Sequence, residues 1–479
     1  MRWNQQSKKI AELIHQKSME ILSEVGFCVP EESVLQTLVQ AGFIVDKESQ
    51  MVRVTQELLD TALKTLPKDV KLYNRSGSKE LDLKGMSHFM GAGTPVNVQD
   101  LETGERRAAT RKDVRNFVIL QDALSQVDIV RPTVTATDIG ENSDLVEIAE
   151  LLLHTNKPLV HRTLSPERVD AAAEMLSVVA GGEEFLGTNP RFATLYCPIS
   201  PAYFTKGNIQ CMLAWAKYGV PITLLSMAMG GASAPATLLG ELLVINLEIL
   251  AWIIVLQILF PGTPLIYGSV SSVLDMRTGI LPLGSPERGM INSGAAIMAN
   301  YYGIPSMCGG LSSDAKEVDV QAGFEKAVTA FPLLAEGASI IYGVGAVDAG
   351  AAISFNQMVM DNELIGGLRR MMTGITLHDL DEEAALIKSN IPRGNFMKEK
   401  HTRRNYKRHW QPELLNKEAY ETWMKKSIRG AEKSREKAKD ILDSHQPPRL
   451  PIETESEIER ILRKNLGDNF SLDLDDALR

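Results

Sequence analysis

The chain has 479 residues, of which 44% are hydrophobic and 23% charged, with a formal charge of −9. This is ordinary globular composition, enough for one large core with helical additions or for two domains. No basic excess is present to neutralise phosphates, which argues against nucleic acid. The four cysteines, Cys28, Cys197, Cys211 and Cys308, lack short pairings and suit a reducing cytoplasm rather than a disulfide framework.

The N-terminus, MRWNQQSKKIAELIHQ, is amphipathic and has no apolar signal-peptide core. Residues 1–85 read as a helical extension with a short VRV strand, expected to cap the bottom or side of the fold that follows. From Met86 to Gly374 come eight short apolar runs: Met86–Gly93, Val127–Ala136, Lys157–Leu164, Arg191–Ile199, Val220–Ala228, Thr263–Val270, Ile304–Gly310 and Ser339–Val347. They are nearly continuous rather than alternating, so both faces should be buried, as in a parallel sheet. Helical patterns lie between them, with start signals at Ser165-Pro166-Glu167 and Ser285-Pro286-Glu287. Strand–helix repetition of this count predicts an α/β fold, a (β/α)8 TIM barrel spanning 86–374. An open doubly wound sheet is the competitor, and eight units disfavour it.

Val96–Thr110 reads as a β-hairpin around Glu102-Thr103-Gly104, inserted after the first strand. The stretch Leu238–Phe260 is apolar enough to resemble a membrane span. It carries Glu241, Asn246, Glu248 and Gln257, each costing roughly 1–3 kcal/mol or more in lipid, so a buried barrel helix is expected and no membrane partner. Residues 375–479 turn to charged helix, expected to pack on the barrel or touch a neighbouring subunit, which predicts a homo-oligomer. The basic run Lys398–Arg408 reads as a solvated helix face, with a docking patch for an acidic partner as the minority reading.

A barrel of this kind places its site at the C-terminal strand ends. The residues there include Asn97, Asp138, His161, Arg162, Tyr196, Tyr203, Ser226, Met229, Tyr267, Asp275, Arg277, Asp314, Lys316 and Tyr342, with Phe355 opening the last helix. HExxH and CxxC patterns are absent and the eight histidines are scattered, so no metal site is expected. Cys197 and Cys211 with His161 form a minor zinc alternative, against core thiols. Lys316 in SSDAKE is a minor candidate for imine chemistry, against an ion-paired surface lysine. His161 and Arg162 are the better anion grip, since arginine holds a carboxylate with two parallel hydrogen bonds. Arg277 has the plainer reading of a loop brace to Asp275.

The phrases PGTPLIYG, DMRTG, GSPE, YYGIP, GGLSSDAK, QAGFEKA, VQDLETGERRAAT and NFMKEKHT occur in this order-rich form across most of the chain. Together they resemble the trimethylamine methyltransferase family of corrinoid-dependent methyltransferases. The resemblance implies a barrel that moves a methyl group from an amine to the cobalt of a separate, cognate corrinoid protein, without a tightly bound cofactor of its own. Every position is a standard residue, whereas the trimethylamine enzymes carry pyrrolysine. The chain is therefore similar to the pyrrolysine-free branch, which acts on glycine betaine, proline betaine, carnitine or γ-butyrobetaine. Glycine betaine, released as dimethylglycine, is the expected substrate. On this view Tyr203, Tyr267, Tyr342 and Phe355 form a loose aromatic cage for the ammonium, and His161, Arg162 and Arg277 take the carboxylate. A betaine-binding barrel without turnover is the non-catalytic alternative.

Overall fold

The computed structural model describes residues 3–377, 379–392, 394–426, 429–468 and 470–472. Its main sheet has seven strands in the order His88–Gly91, Ile340–Val344, Ser306–Gly309, Leu265–Ser269, Ile222–Ser226, Phe192–Tyr196 and Leu159–Val160. All neighbours are parallel. From Leu159–Val160 to Ile340–Val344 each strand neighbours the next in the chain, and the first strand, His88–Gly91, lies beside the last. With helices between the strands, this gives a curled, TIM-barrel-like sheet.

Seven of the eight expected runs hold these strands. The run Val127–Ala136 forms no named strand, yet it touches both edges of the sheet through parallel bridges Met90–Ile129 and Val130–Leu159. Asp128 N donates to Phe89 O (2.9 Å), Val130 N to Pro158 O (2.9 Å) and Val160 N to Val130 O (3.0 Å). The ladder stops there because Pro132 has no N–H to give and Thr133 turns to φ 61°.

Successive strand residues face opposite sides. Met90, Ile129, Val160, Ala193, Leu195, Leu225, Ile266, Met307 and Ile340 fill the sheet's interior. Their sequence neighbours Phe89, Val130, Leu159, Phe192, Leu224, Tyr267, Cys308 and Ile341 join the core beneath the helices. A hairpin, Lys71–Tyr73 with Glu80–Asp82, delivers Leu72 and, just beyond, Leu83 into the same interior cluster. Tyr73 N bonds Pro190 O, just before a strand begins, so the hairpin covers the N-terminal end of the curled sheet.

The inserted hairpin is present: Asn97–Gln99 pairs antiparallel with Arg106–Ala108. It also pairs with Ala352–Ser354, which in turn pairs with Ala346–Val347. A small four-stranded sheet thus joins the segments following the first and last strands of the main sheet.

The membrane-like stretch is helix Leu238–Leu259, the one described helix long and apolar enough to cross a membrane; it is mostly buried inside the protein. Asn246 bonds Ser18 (2.8 Å), Tyr302 (3.1 Å) and Tyr267 (3.1 Å), and Gln257 bonds Thr263 O (2.7 Å). These satisfied polar groups mark a protein core. The N-terminal helix Trp3–Glu24 packs along it.

Beyond the barrel, helix Gly430–Ser444 packs on helix Phe355–Met372, and Ile452–Leu466 on Pro166–Ala180. Helices Leu380–Asn390 and Lys400–Asn405 bury no residue. The last residues of the chain, 473–479, lie outside the described residues.

Candidate functional site

The alternation that fills the interior also decides which strand-end groups meet. His161 and Arg162 are adjacent, so they point to opposite faces. Val160 is inward, which sends His161 outward: its Nε2 lies 2.8 Å from Glu147 Oε2, both side chains buried. Glu147 is itself fixed by accepting from Ala136 N at 2.9 Å. His161 therefore does not share an anion with Arg162. Arg162 lies half-buried and makes no hydrogen bond or ion pair among the described residues.

The same parity brings three further side chains inward. Tyr342 follows inward Ile340 by two residues, and its hydroxyl occupies the space beside Gly93, where an added Cβ would come within 2.4 Å. Arg131 follows inward Ile129 by two. It is 4% exposed, and its Cζ stands 5.2 Å from the Tyr342 ring centroid. Its Nε has no hydrogen-bond partner and its guanidinium makes no ion pair among the described residues. Cys197 follows inward Leu195 by two, and the positive charges of Arg162 and Arg131 both act on it. Burial nonetheless pushes its thiol up to about 11, so it is neutral at pH 7.

A third guanidinium arrives from a helix. Arg288, in the first turn of Pro286–Tyr302, donates to Val270 O (2.7 Å) and Ser271 O (3.3 Å). Its Nη2 fills the place left by Gly309, whose Cβ would lie 2.5 Å away. Burial lowers it to about 10, while Tyr342, Asp314 and Glu241 act in the other direction. Glu241 is buried with both carboxyl oxygens unbonded. Burial raises its pKa to about 7, with the nearby Gly230 amide and Arg288 offsetting part of the effect. The mouth is thus cationic, with Arg131, Arg162 and Arg288 gathered around Tyr342 and Cys197.

Of the residues expected in the site, the structure brings together Arg162 and Tyr342. The aromatic cage does not assemble. Tyr267 points outward and donates to Asn246 Oδ1 (3.1 Å), and burial holds its hydroxyl well above the usual range. Phe355 stacks on Phe117 at 3.8 Å between helices. Tyr203 is partly exposed and bridges by its backbone to Ile199 and Cys28. Arg277 is solvent-exposed and braces Asp275 at 3.3 Å. Asp314 accepts from Leu283 N (2.7 Å) and Gly284 N (3.1 Å), a loop anchor. Lys316 is exposed and paired with Asp348 at 2.9 Å, an environment that does not activate an imine-forming amine. Cys211 packs beside Tyr196, away from Cys197, and no three metal-binding side chains converge among the described residues.

Two mouth residues were missed in the sequence. Arg131 had a signal, since a charge two positions after a core isoleucine in an apolar run must share its face. Arg288 had none, because its entry depends on the absence of a side chain at Gly309, a neighbour in space only.

Around the mouth, the loops after successive strands expose Val96, Leu164, Ile199, Met227, Met276 and Ile280, between 47% and 74% accessible. An apolar rim so distributed is the kind of surface that marks a binding face. A groove of about 630 Å³ on the flank, lined by Glu167, Asp170, Glu183 and Lys217 among others, contains none of the strand-end groups.

A sequence profile described as trimethylamine methyltransferase (MTTB) matches residues 3–466. The trimethylamine methyltransferase MttB of Desulfitobacterium hafniense (strain DSM 10664 / DCB-2) is 32% identical over 441 residues, covering 91% of this chain and 89% of that one. The glycine betaine methyltransferase of Desulfitobacterium hafniense (strain Y51) is 30% identical over 455 residues, 94% of each chain. Among solved structures, the monomethylamine methyltransferase MtmB of Methanosarcina barkeri aligns over 90% of this chain and 92% of its own, with a TM-score of 0.50 and 13% identity, a likeness of fold.

Proposed function

Because the chain belongs to the trimethylamine methyltransferase family and is a methyltransferase acting on methylated amines, we propose that it takes a methyl group from a quaternary amine. The preferred substrate in this reading is glycine betaine, with proline betaine, carnitine and γ-butyrobetaine as alternatives. The acceptor is the cobalt of a corrinoid on a separate protein, and dimethylglycine is the product from betaine.

The observation that carries this reading is the combination of an apolar rim with the buried Arg131 and partly buried Tyr342 and Cys197 at the strand ends beneath it. A flat macrocycle delivered by a partner protein needs an open apolar landing surface, and a small amine needs a recessed site below. The corrinoid supplies a strongly nucleophilic Co(I). The chain's own residues then have to hold the N–CH3 bond in line and exclude water. A quaternary nitrogen leaves as a neutral tertiary amine, so no proton need be delivered to it. The mouth agrees: its thiol is neutral, and Arg288, though lowered to about 10, keeps its proton at pH 7. Tyr342 offers one aromatic surface to the ammonium, and a single ring suits a cation whose charge fades in the transition state.

We also read the 127–131 segment as the eighth strand, closing a (β/α)8 barrel through its two bridges. In the same reading the N-terminal extension ends near residue 85 and the barrel near 374. The protein works in the cytoplasm as a homo-oligomer.

The test is to mix the protein with a reduced corrinoid protein and offer glycine betaine, proline betaine, carnitine, γ-butyrobetaine, choline and trimethylamine one at a time. Loss of the Co(I) absorbance with matching formation of the demethylated amine is expected for betaine. An unchanged spectrum with every amine, in the presence of the cognate corrinoid protein, overturns the reading.

A further inference from the structure

We propose that Arg131 and Arg162 together form a carboxylate receptor inside the mouth, so that the amine this site accepts must be a zwitterion. This deepens the methyl-transfer reading and rests on it for the identity of the reacting group.

The argument begins with what the two arginines lack. Buried guanidiniums are ordinarily paired, because a desolvated charge without hydrogen bonds is costly. Arg131 is 4% exposed, yet its Nε is unbonded; it lies over the face of Tyr342, and the one carboxylate whose charge acts on it, Glu147, is paired with His161. Arg162 is likewise without a hydrogen bond or an acidic partner among the described residues. Arg288 differs, because the carbonyls of Val270 and Ser271 hold it in place. The carboxylates that could answer the first two are engaged elsewhere. Glu147 faces His161, and Glu248 accepts from Ser226 Oγ (2.6 Å) and Ala202 N (3.0 Å).

Two forks without a hydrogen-bonded partner among the described residues, both acting on the Cys197 thiol, suit an anion with two oxygens. A planar carboxylate meets it, since each fork presents parallel N–H donors. The same cationic mouth repels a ligand that carries only an ammonium. Choline and trimethylammonium lack the compensating charge; a betaine brings both. With Arg131 lying over Tyr342 at 5.2 Å, a carboxylate held by the arginine would sit next to the aromatic surface. The ammonium end of the ligand is left beside the ring.

The test is calorimetric titration of the full chain alone with glycine betaine, dimethylglycine and choline, with no corrinoid present. Betaine is expected to bind at least 100-fold more tightly than choline. Arg162→Gln is expected to weaken betaine by at least about 30-fold. Arg131→Gln should do the same, and Arg131→Lys should recover only part, because it restores charge without the fork. Arg277→Gln, exposed and outside the mouth, should leave binding unchanged. Should Arg131→Gln fail to fold, the half-buried Arg162 carries the test by itself.

Choline bound as tightly as betaine, or betaine binding within threefold of the parent in Arg162→Gln, overturns the inference. So does failure of the folded parent to bind any of glycine betaine, proline betaine, carnitine or γ-butyrobetaine. Arginine-dependent betaine binding with no cobalt reaction supports the receptor and refutes methyl transfer. A cobalt reaction with choline that Arg162→Gln does not alter does the reverse.

Discussion

Glu241→Gln probes a buried acidic group that acts on Arg288. Glu241 has no exposed surface and its carboxyl oxygens are unbonded. Its pKa rises from 4.5 to about 7, chiefly through burial. Between those values the unfolded chain has released a proton that the folded protein keeps. The group's favourable share in stability is therefore complete below pH 4.5 and is lost as the pH climbs to 7. A gap of about 2.5 pH units at about 1.4 kcal/mol each amounts to about 3.5 kcal/mol at most. Glutamine has no proton to lose. The variant should match the parent near pH 4.5 and exceed it by about 2–3 kcal/mol at pH 8. Urea unfolding followed by tryptophan fluorescence at pH 5, 6, 7 and 8 reads the difference. A difference that stays flat across that range would show that Glu241 titrates as an ordinary surface carboxyl and refute the reasoning.

Lys326 and Asp361 are wholly buried and bonded at 2.9 Å, with the lysine also donating to Leu311 O (2.9 Å) and the aspartate accepting from Gly345 N (2.7 Å). Asp361→Asn should cost about 3–5 kcal/mol in urea unfolding, and the paired change Lys326→Met with Asp361→Leu should recover most of it. Gly343 sits at φ 147°, and an added Cβ would lie 2.0 Å from Gly310 O. Gly343→Ala should therefore disrupt the end of the last strand, lowering stability by about 3 kcal/mol or more and weakening betaine binding together with it. Brief trypsin treatment should cut first between Lys398 and Arg408, where exposed basic residues lie on helices that bury nothing, leaving the barrel intact on a gel. First cuts inside the barrel strands would contradict that arrangement.

The barrel units were legible because a parallel strand covered on both faces has little choice but a run such as TPLIYGSV, and because Ser-Pro-Glu marks a helix start at two places. The site was less so, for reasons that individual residues make plain. His161 and Arg162 look like one anion grip in a linear sequence, yet the strand sends them to opposite faces. Tyr267 and Tyr342 close their runs in similar company, and only register against Ile266 and Ile340 tells that one is outside and the other in. Phe355 was placed by its position after the last strand, but a helix N-terminus can turn its first aromatic sideways, here onto Phe117. Arg131 was readable from parity with Ile129. Arg288 was not, since it enters through a gap at Gly309 that no local pattern announces.

The small sheet at the mouth has a consequence for how the protein comes into being. Asn97 donates to Ala351 O at 3.2 Å across 254 residues, and the strands beside them pair at Val98–Ile353. A contact of such long range forms only after its second half has left the ribosome. Arg131 and Arg162 are made early and Tyr342 late, so a nascent chain displays cationic side chains long before the ring that faces them exists. The pocket is therefore a product of the completed polypeptide, and a barrel fragment ending before residue 340 cannot harbour a rudimentary version of it.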